Sequence, residues 1–140
     1  MSYDNQNIFA KIIRNELPSE KVYEDSETIA IMDIMPRANG HVLVIPKSAC
    51  RNMLDATEVQ LLACMKTVKK VSLAMLNAFA ADGITIQQFN ETAGGQEVFH
   101  LHYHVLPRHD GVPIRQPSAA IEKMEVLKEN AEKIRKKIEI

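Results

Sequence analysis

The sequence predicts one α+β domain, in which an antiparallel sheet of about five strands packs with one short helix, one long helix and a C-terminal helix. Three observations predict this class. The 140 residues have the length of a single domain, and 46% of them are hydrophobic, which is enough for a core without disulfides. Short β-branched runs read as strands, whereas other segments repeat their apolar residues every three or four positions, as helices do. Neither an internal repeat nor a linker divides the chain, so we expect a single domain over 1–140.

A short helix and three strands are predicted for the first third of the chain. The helix covers 8–15, where apolar side chains pair at i and i+4 before a proline ends it. The strands cover 21–24, 28–33 and 41–45, and the last of these is a buried β-branched run that ends at a proline. Residues 35–40 contain Pro, Asn and Gly, which predicts a loop before the third strand.

A long helix is predicted from Asp55 to about Ala81. Asp55 and Glu58 have the spacing of a capping box at its start. Gly83 lies just past its end, where glycine commonly caps a helix.

The apolar face of this helix is wider than contact with one sheet requires. We interpret the surplus as a subunit interface, which predicts a homodimer. Deeper burial of the helix within a monomer is the alternative. Aspartate at Val68 or Met75 would then weaken the dimer, because an unpaired charge in an interface is costly.

The rest of the chain predicts a hairpin and a terminal helix. Strands over 84–90 and 98–106 enclose a loop at 91–96, so we expect the two strands to pair antiparallel. Ser118 is the expected cap of a helix over about 118–138, along which apolar residues step by three and four positions.

Composition and charge argue against several classes of function. The formal net charge is −1 and aromatic residues make up 5% of the chain, which argues against a protein that binds nucleic acid polymers. No apolar run approaches the roughly 18 residues of a membrane span, and the N-terminus lacks a signal-peptide pattern, so no membrane association is expected. Two cysteines, Cys50 and Cys64, form no disulfide framework, which favours the reducing cytoplasm.

Three of the five histidines lie in the string His100-Leu101-His102-Tyr103-His104. Side chains alternate across a strand, so the histidines would share one face and the residues between them would lie on the core face. Each buried imidazole nitrogen needs a hydrogen-bond partner, so three imidazoles on one face indicate a functional site. The preceding Gly94-Gly95-Gln96-Glu97 can point successive backbone N–H groups into one concavity, which suits a phosphate.

These residues resemble the motif of the histidine triad family, in which three histidines alternate with apolar residues. Residues 100–106 carry the motif, and four further blocks resemble the family in the same order. The blocks are similar to its N-terminal helix, two nucleotide-binding strands and the loop that enters the triad: 7–13, 31–34, 40–47 and 94–98. The resemblance covers about residues 5–115, the expected core of the domain. The segment 106–108 is similar to the bacterial hydrolase branch.

The resemblance implies the fold of this family and a nucleotidyl hydrolase or transferase that acts at an α-phosphate. His102 would be the nucleophile and would form a covalent nucleotidyl-histidine, with its other nitrogen donating to the carbonyl of His100. His104 would stabilise the phosphate, and His41 would support the hydrogen-bond network. The substrate would be a phosphoramidate or a dinucleoside polyphosphate of an AMP-type purine nucleotide, and no cofactor is implied.

The resemblance also implies nucleotide-binding residues. Asp33 would accept hydrogen bonds from the ribose hydroxyls. Apolar side chains would line the base pocket, and the phosphate would be bound by polar side chains and by two backbone N–H groups. The residues of the base pocket are Ile8, Phe9 and Ile34, those binding phosphate through side chains are Asn90 and Gln96, and those binding through N–H are Glu97 and Val98.

Two departures from the family pattern affect the chemistry. Glu97 stands where some relatives have Ser or Thr, whose hydroxyl assists the leaving group. The zinc ligands of some bacterial relatives, a Cys-x-x-Cys pair and a later histidine, are replaced by Asn7, Ala10 and Ala49, so no metal is expected there. Two alternatives stay open: a zinc enzyme with the three triad histidines as ligands, and a nucleotide-binding sensor or scaffold without a catalytic role.

Overall fold

The computed structural model describes residues 2–116 and 120–138. The helices are α1 (Ile8–Ile13), α2 (Glu58–Ala78) and α3 (Met124–Arg135). The strands are β1 (Lys21–Glu24), β2 (Thr28–Met32), β3 (Val42–Pro46), β4 (Gly83–Gln87) and β5 (Tyr103–Arg108). They pair antiparallel in the order β1-β2-β3-β5-β4, which confirms the α+β class and the five-stranded sheet. None of these three helices combines the length and the hydropathy that a membrane span requires.

The two faces of the sheet have different partners. On one face, Ala30 and Val44 pack with α2 and α3 in the larger apolar cluster of the protein. On the other face, Ile31 and Leu43 form a smaller cluster with Phe9 of α1. This division follows from the alternation of side chains along a strand, which sends neighbouring residues to opposite faces. We call these the α2 face and the α1 face.

The long helix begins later than the sequence predicts, because a different pair of residues caps it. The Thr57 hydroxyl accepts from the N–H of Gln60 at 3.1 Å, and the Gln60 side chain accepts from the N–H of Thr57 at 2.8 Å. Asp55 instead accepts hydrogen bonds from backbone N–H groups of the preceding turn, so the predicted cap of Asp55 with Glu58 is wrong. The predicted C-terminal cap is also wrong, because Gly83 is the first residue of β4.

The surplus of apolar residues on α2 is real, but it lies at other positions than expected. Val68 and Met75 are only 3% and 0% exposed, because they face the sheet in the larger apolar cluster, and they are therefore wrong as interface positions. The exposed apolar side chains of this helix include Leu62, Met65 and Leu73. These three residues extend along the side of α2 that the described part of the chain leaves exposed.

The predicted β4–β5 hairpin is confirmed, but β5 begins only at Tyr103. Gln87 at the end of β4 pairs with His104, so no further residue of β4 extends beside the chain that precedes Tyr103. His100 and His102 therefore lie in irregular backbone before the strand, and only His104 of the three histidines is within it. The expected strand over 98–106 is too long at its start for this reason.

The C-terminal helix packs on the core but is shorter than the predicted 118–138. α3 begins at Met124, and the predicted cap, Ser118, lies outside the described residues. Leu127, Ala131 and Ile134 are buried in the larger apolar cluster. The helix thus covers the α2 face and leaves the α1 face to the histidines.

Candidate active site

His102 is held in one orientation by the segment that carries it. Its Nδ1 lies 2.7 Å from the carbonyl oxygen of His100. Because a carbonyl can only accept, Nδ1 carries the proton and Nε2 keeps its lone pair. The ring of Phe9 packs edge-on against the His102 ring with 4.8 Å between centroids, which restricts rotation of the imidazole. His102 therefore presents an unprotonated nitrogen from a fixed position.

His41 and His104 form a second pair of imidazoles beside it. The Nδ1 of His41 accepts from the backbone N–H of Arg37 at 3.1 Å, so the proton of His41 is on Nε2. That Nε2 donates to Nδ1 of His104 at 2.9 Å, which places the proton of His104 on its own Nε2. The ring centroids of His102 and His104 are 5.0 Å apart. The lone pair on Nε2 of His102 and the N–H donor of His104 therefore belong to adjacent rings.

Burial keeps these imidazoles uncharged. It lowers the pKa of His41 and of His104 from 6.5 to about 3, and neighbouring histidines together with the charge of Arg37 act in the same direction. Burial also lowers the pKa of His100 to about 4 and lowers the pKa of His102. A neutral imidazole has the free lone pair that attack on an electrophile requires, so His102 is in its reactive form at pH 7.

Asp33 follows β2 and lies beside this pair. Its Oδ1 accepts from the N–H of Met35 at 2.9 Å, its Oδ2 is 3.5 Å from Nε2 of His41, and burial raises its pKa. One possible ligand atom from each of Asp33, His41 and His104 lies within 4.8 Å of the others, close enough for one metal ion. A histidine that binds metal through Nε2 has no proton there, whereas the N–H of Arg37 directs the proton of His41 to Nε2. This arrangement therefore fits a hydrogen-bonded pair better than a metal centre.

The loop between β4 and the triad is organised around the side chain of Gln96. Gln96 is 4% exposed, and its Nε2 donates to the carbonyls of Arg51 at 2.8 Å and Val98 at 3.0 Å. Its Oε1 accepts from the N–H of Glu91 at 2.8 Å and from Nδ2 of Asn52 at 3.1 Å. Both amide hydrogens are used within the protein, so Gln96 holds the loop in place and has no donor left for a phosphate.

An ion pair that the sequence did not reveal supports the same loop. Glu91 has φ of +66°, a conformation that non-glycine residues rarely adopt. Arg51 holds its carboxylate through two hydrogen bonds, from Nε at 2.7 Å and from Nη2 at 2.8 Å. The guanidinium also lies 4.3 Å from the centroid of the Phe99 ring. The two partners are 40 positions apart and belong to no periodic pattern, so only the fold brings them together.

Gly95 allows this loop to pass close to the triad. It has φ of +98°, and a Cβ there would meet the Phe89 ring at 3.2 Å. The Phe89 ring in turn packs against the His104 ring, with 5.6 Å between centroids. A larger residue at Gly95 would therefore push on a ring that contacts the triad.

Of the backbone N–H groups that the sequence suggests for binding phosphate, only those at the end of the loop remain candidates. The N–H groups of Gly94, Gly95 and Gln96 donate to carbonyls within the loop itself, at 3.0 Å in each case. The N–H groups of Glu97 and Val98 are therefore the ones predicted to donate to the phosphate. The side chain of Glu97 is exposed, and that of Val98 packs against the cluster on the α1 face.

Asn90 joins two loops beside the site. Its Oδ1 accepts from the N–H of Met53 and from Nε2 of Gln88, both at 2.9 Å, and its Nδ2 donates to Oε1 of Gln88 at 2.9 Å. One of the two Nδ2 hydrogens is thus engaged in the protein. A phosphate contact by Asn90 stays a prediction.

The three residues expected to line a base pocket lie in different surroundings. Phe9 is buried and contacts His102, whereas Ile8 and Ile34 are about half exposed. Half-exposed apolar side chains are suited to cover a flat ring. The base pocket stays a prediction. Tyr3, which the sequence did not single out, also reaches the site, through its hydroxyl at 2.6 Å from Nδ1 of His100.

Comparison with known proteins agrees with this geometry. Residues 14–111 match the family model of the HIT domain. The chain is 40% identical over 103 residues to a purine nucleoside phosphoramidase of Escherichia coli K12, covering 72% of this chain and 86% of that one. It is 36% identical over 104 residues to adenylylsulfatase HINT3 of Arabidopsis thaliana, covering 74% and 53%. A crystal structure of a Hit-like protein involved in cell-cycle regulation from Bartonella henselae, with an unknown ligand, has a TM-score of 0.94 at 53% identity, over 99% of this chain and 100% of that chain.

The sequence motif, the sheet and the hydrogen-bonded histidines thus agree with what the comparisons find. The match to the HIT domain includes the sheet from β1 to β5 and all four histidines described above. This chain belongs to the histidine triad family.

Proposed function

We propose that the protein is a nucleotidyl hydrolase or transferase that cleaves at the α-phosphate of an AMP-type purine nucleotide without a cofactor. The observation that carries this proposal is the 2.7 Å hydrogen bond from Nδ1 of His102 to the carbonyl of His100, which leaves Nε2 unprotonated. Beside this nucleophile, His104 directs an N–H group that can stabilise charge on a phosphate. A fixed nucleophile next to a preorganised donor is what covalent phosphoryl transfer needs.

The reaction takes two steps. Nε2 of His102 attacks the α-phosphorus, so that an N–P bond forms while the bond from phosphorus to the leaving group breaks and its electron pair departs with that group. The N–H of His104 donates to a phosphate oxygen as charge develops. Water then attacks the phosphorus of the nucleotidyl-histidine and loses a proton to solvent. The N–P bond breaks, and His102 regains its lone pair as the nucleoside monophosphate is released. Glu97 is exposed and lacks a hydroxyl, and the neutral His104 would become an anion if it gave up its single proton on Nε2. The leaving group therefore takes its proton from solvent.

Phosphoramidates and dinucleoside polyphosphates are the substrate classes we favour. One relative, named a purine nucleoside phosphoramidase, supports the first of these classes, and a second, named an adenylylsulfatase, supports an adenylyl group as the part that the site binds. In this proposal Asp33 accepts from the ribose hydroxyls, and Phe9 together with the half-exposed Ile8 and Ile34 covers the base. Asp33 lies beside His41 and Phe9 lies beside His102, which is consistent with one bound nucleotide that reaches both.

A substrate panel tests the proposal. Wild-type protein and His102→Ala are assayed side by side on an AMP–lysine-type adduct, adenylyl sulfate and a dinucleoside polyphosphate, with release of AMP as the readout. Turnover by the wild type and none by the variant is the expected result, and the best substrate identifies the leaving group. Tight binding of AMP without turnover of any substrate would instead favour a nucleotide sensor.

The same proposal places the protein in the cytoplasm as a homodimer of one domain over 1–140. Both cysteines are free and buried, which suits a reducing compartment. The dimer is supported by the exposed apolar side of α2 at Leu62, Met65 and Leu73, together with β4, which lies at the edge of the sheet. An edge strand beside an exposed apolar helix face is a surface that a second copy can cover.

A further inference from the structure

The ring of His100 is fully hydrogen-bonded, although the proposed reaction uses only its carbonyl. His100 is 1% exposed, and its Nε2 lies 2.7 Å from the carbonyl oxygen of Pro46. Its Nδ1 lies 2.6 Å from the hydroxyl of Tyr3, a residue 97 positions away in the chain. The two rings meet edge to face, with centroids 5.6 Å apart. The residues that precede α1 therefore contact the triad through the side chain of Tyr3.

The hydrogen bonds in this group can run in only one direction. The carbonyl of Pro46 only accepts, so the proton of the neutral His100 ring is on Nε2 and Nδ1 has a lone pair. The Tyr3 hydroxyl must then donate to that Nδ1. Nδ2 of Asn7 only donates, and it lies 3.0 Å from the same hydroxyl oxygen. The series thus runs from Asn7 through Tyr3 and His100 to Pro46.

The start of α1 determines the orientation of Asn7. Its Oδ1 accepts from the N–H of Ala10 at 2.9 Å and caps the helix, which turns Nδ2 toward Tyr3. The first turn of the same helix carries Phe9, whose ring packs on His102. The residue before Tyr3 is also held in place, since Nη1 of Arg51 donates to the carbonyl of Ser2 at 3.0 Å.

We propose that Tyr3 is a positioning residue of the triad: by donating to Nδ1 of His100, its hydroxyl holds the His100 ring, and thereby the His100 carbonyl that orients the nucleophile His102. This inference rests on the proposed function for its catalytic part. Asn7 belongs to the same series of hydrogen bonds, because its amide donates to the Tyr3 oxygen and so keeps the hydroxyl hydrogen of Tyr3 directed at His100. In this proposal both residues act through the His100 ring.

Two variants break the series at different points. Tyr3→Phe removes the donor and keeps the ring. Asn7→Asp keeps an oxygen that caps α1 but replaces the donor with an acceptor, which draws the hydroxyl hydrogen of Tyr3 away from His100. Tyr23→Phe is the matched control. Tyr23 lies on β1, away from the triad, and its hydroxyl donates to the carboxylate of Asp25 at 2.9 Å.

Turnover and nitrogen-15 NMR are measured on all three variants. We expect kcat to fall about tenfold for Tyr3→Phe and Asn7→Asp with KM changed less than about twofold, since misplacing a nucleophile acts on the chemical step. We also expect the nitrogen-15 signal of His100 Nδ1 to move toward that of a free unprotonated imidazole nitrogen in both variants. Tyr23→Phe is expected to match the wild type in both measurements.

The outcomes separate this inference from the proposed function. Unchanged kcat in Tyr3→Phe and Asn7→Asp, with both variants folded by circular dichroism, overturns the catalytic role of Tyr3. An unchanged nitrogen-15 signal overturns the hydrogen bond itself. A wild-type protein that turns over no nucleotidyl substrate refutes the proposed function, while the NMR measurement still decides whether Tyr3 holds His100.

Discussion

Nε2 of His41 lies 2.9 Å from Nδ1 of His104, and this contact determines where both rings carry their protons. Because the N–H of Arg37 occupies Nδ1 of His41, the pair has one consistent set of donors and acceptors. His104 is therefore a hydrogen-bond donor toward the expected phosphate while it is electrically neutral. A neutral donor stabilises developing negative charge without withdrawing the lone pair of His102 beside it.

His102→Ala should abolish turnover while AMP binding is nearly unchanged, because the ribose and base contacts lie on other residues. His100→Ala and His104→Ala should be impaired less completely. Wild-type protein quenched during turnover should carry a nucleotidyl group on His102 that is labile to acid and stable to base, as a P–N bond is. Mass spectrometry of peptides from the quenched protein checks this. Full activity of His102→Ala, or loss of wild-type activity on adding EDTA, would favour the zinc-enzyme alternative.

Stability should decrease as the pH falls from about 6.5 toward about 4, because the histidines are neutral when folded. The pKa values of His41 and His100 fall from 6.5 to about 3 and about 4 on folding, so the unfolded chain binds more protons in this range. The free energy of unfolding then falls with decreasing pH, by at most about 1.4 kcal/mol per pH unit for each such group. Asp33 has the opposite effect on stability, because burial raises its pKa and the folded chain then binds its proton more readily. The ordinary pKa of an aspartate lies below that of histidine, so this effect acts at lower pH.

Urea denaturation at several pH values checks this dependence. His41→Gln should reduce the slope of unfolding free energy against pH relative to the wild type. A slope that is the same in the wild type and His41→Gln would show that His41 does not carry the effect.

Asp33→Asn should raise KM for a nucleotidyl substrate more than it lowers kcat. The ribose is remote from the bond that breaks, so the loss of its contact affects binding of the ground state and the transition state alike. Asparagine keeps an oxygen that can accept from the N–H of Met35. Steady-state kinetics beside the exposed control Asp110→Asn measure the change. An unchanged KM in Asp33→Asn would remove Asp33 from the ribose site.

Leu62→Asp or Leu73→Asp should convert the expected dimer to a monomer, because each places a charge on the exposed apolar side of α2. These two side chains are 61% and 53% exposed in a single chain, so the monomer itself tolerates the change. Light scattering of both variants measures the mass, with Val112→Asp as a control at an exposed apolar residue outside α2. A wild-type mass of one chain at micromolar concentration would contradict the dimer.

Features that depend on neighbours in the sequence were predictable. The strands follow β-branched runs, and the alternating histidines mark the site within five residues of each other. The start of β5 was not predictable in this way, because it depends on where β4 ends at Gln87. The cap of α2 was ambiguous for a similar reason, since Asp55 and Thr57 both have a suitable partner three residues on, and only the fold selects Thr57.

Contacts between distant parts of the chain were the main omission. Gln96 looks like part of a phosphate loop in the sequence, but its side chain is used by Arg51 and Asn52, more than 40 positions earlier. Tyr3 gives no signal at all, because an isolated tyrosine near an N-terminus has no period or motif. Its relevance appears only when the fold places it against His100.

The separation of the sheet into an α1 face and an α2 face bears on how the protein could be engineered. The α2 face holds large buried side chains such as Val71, Met75 and Ile134, and no histidine of the site. Apolar exchanges there that conserve volume cost little stability and leave the chemistry on the opposite face untouched. Thermal tolerance and substrate choice can therefore be selected in separate libraries, one for each side of the same five strands.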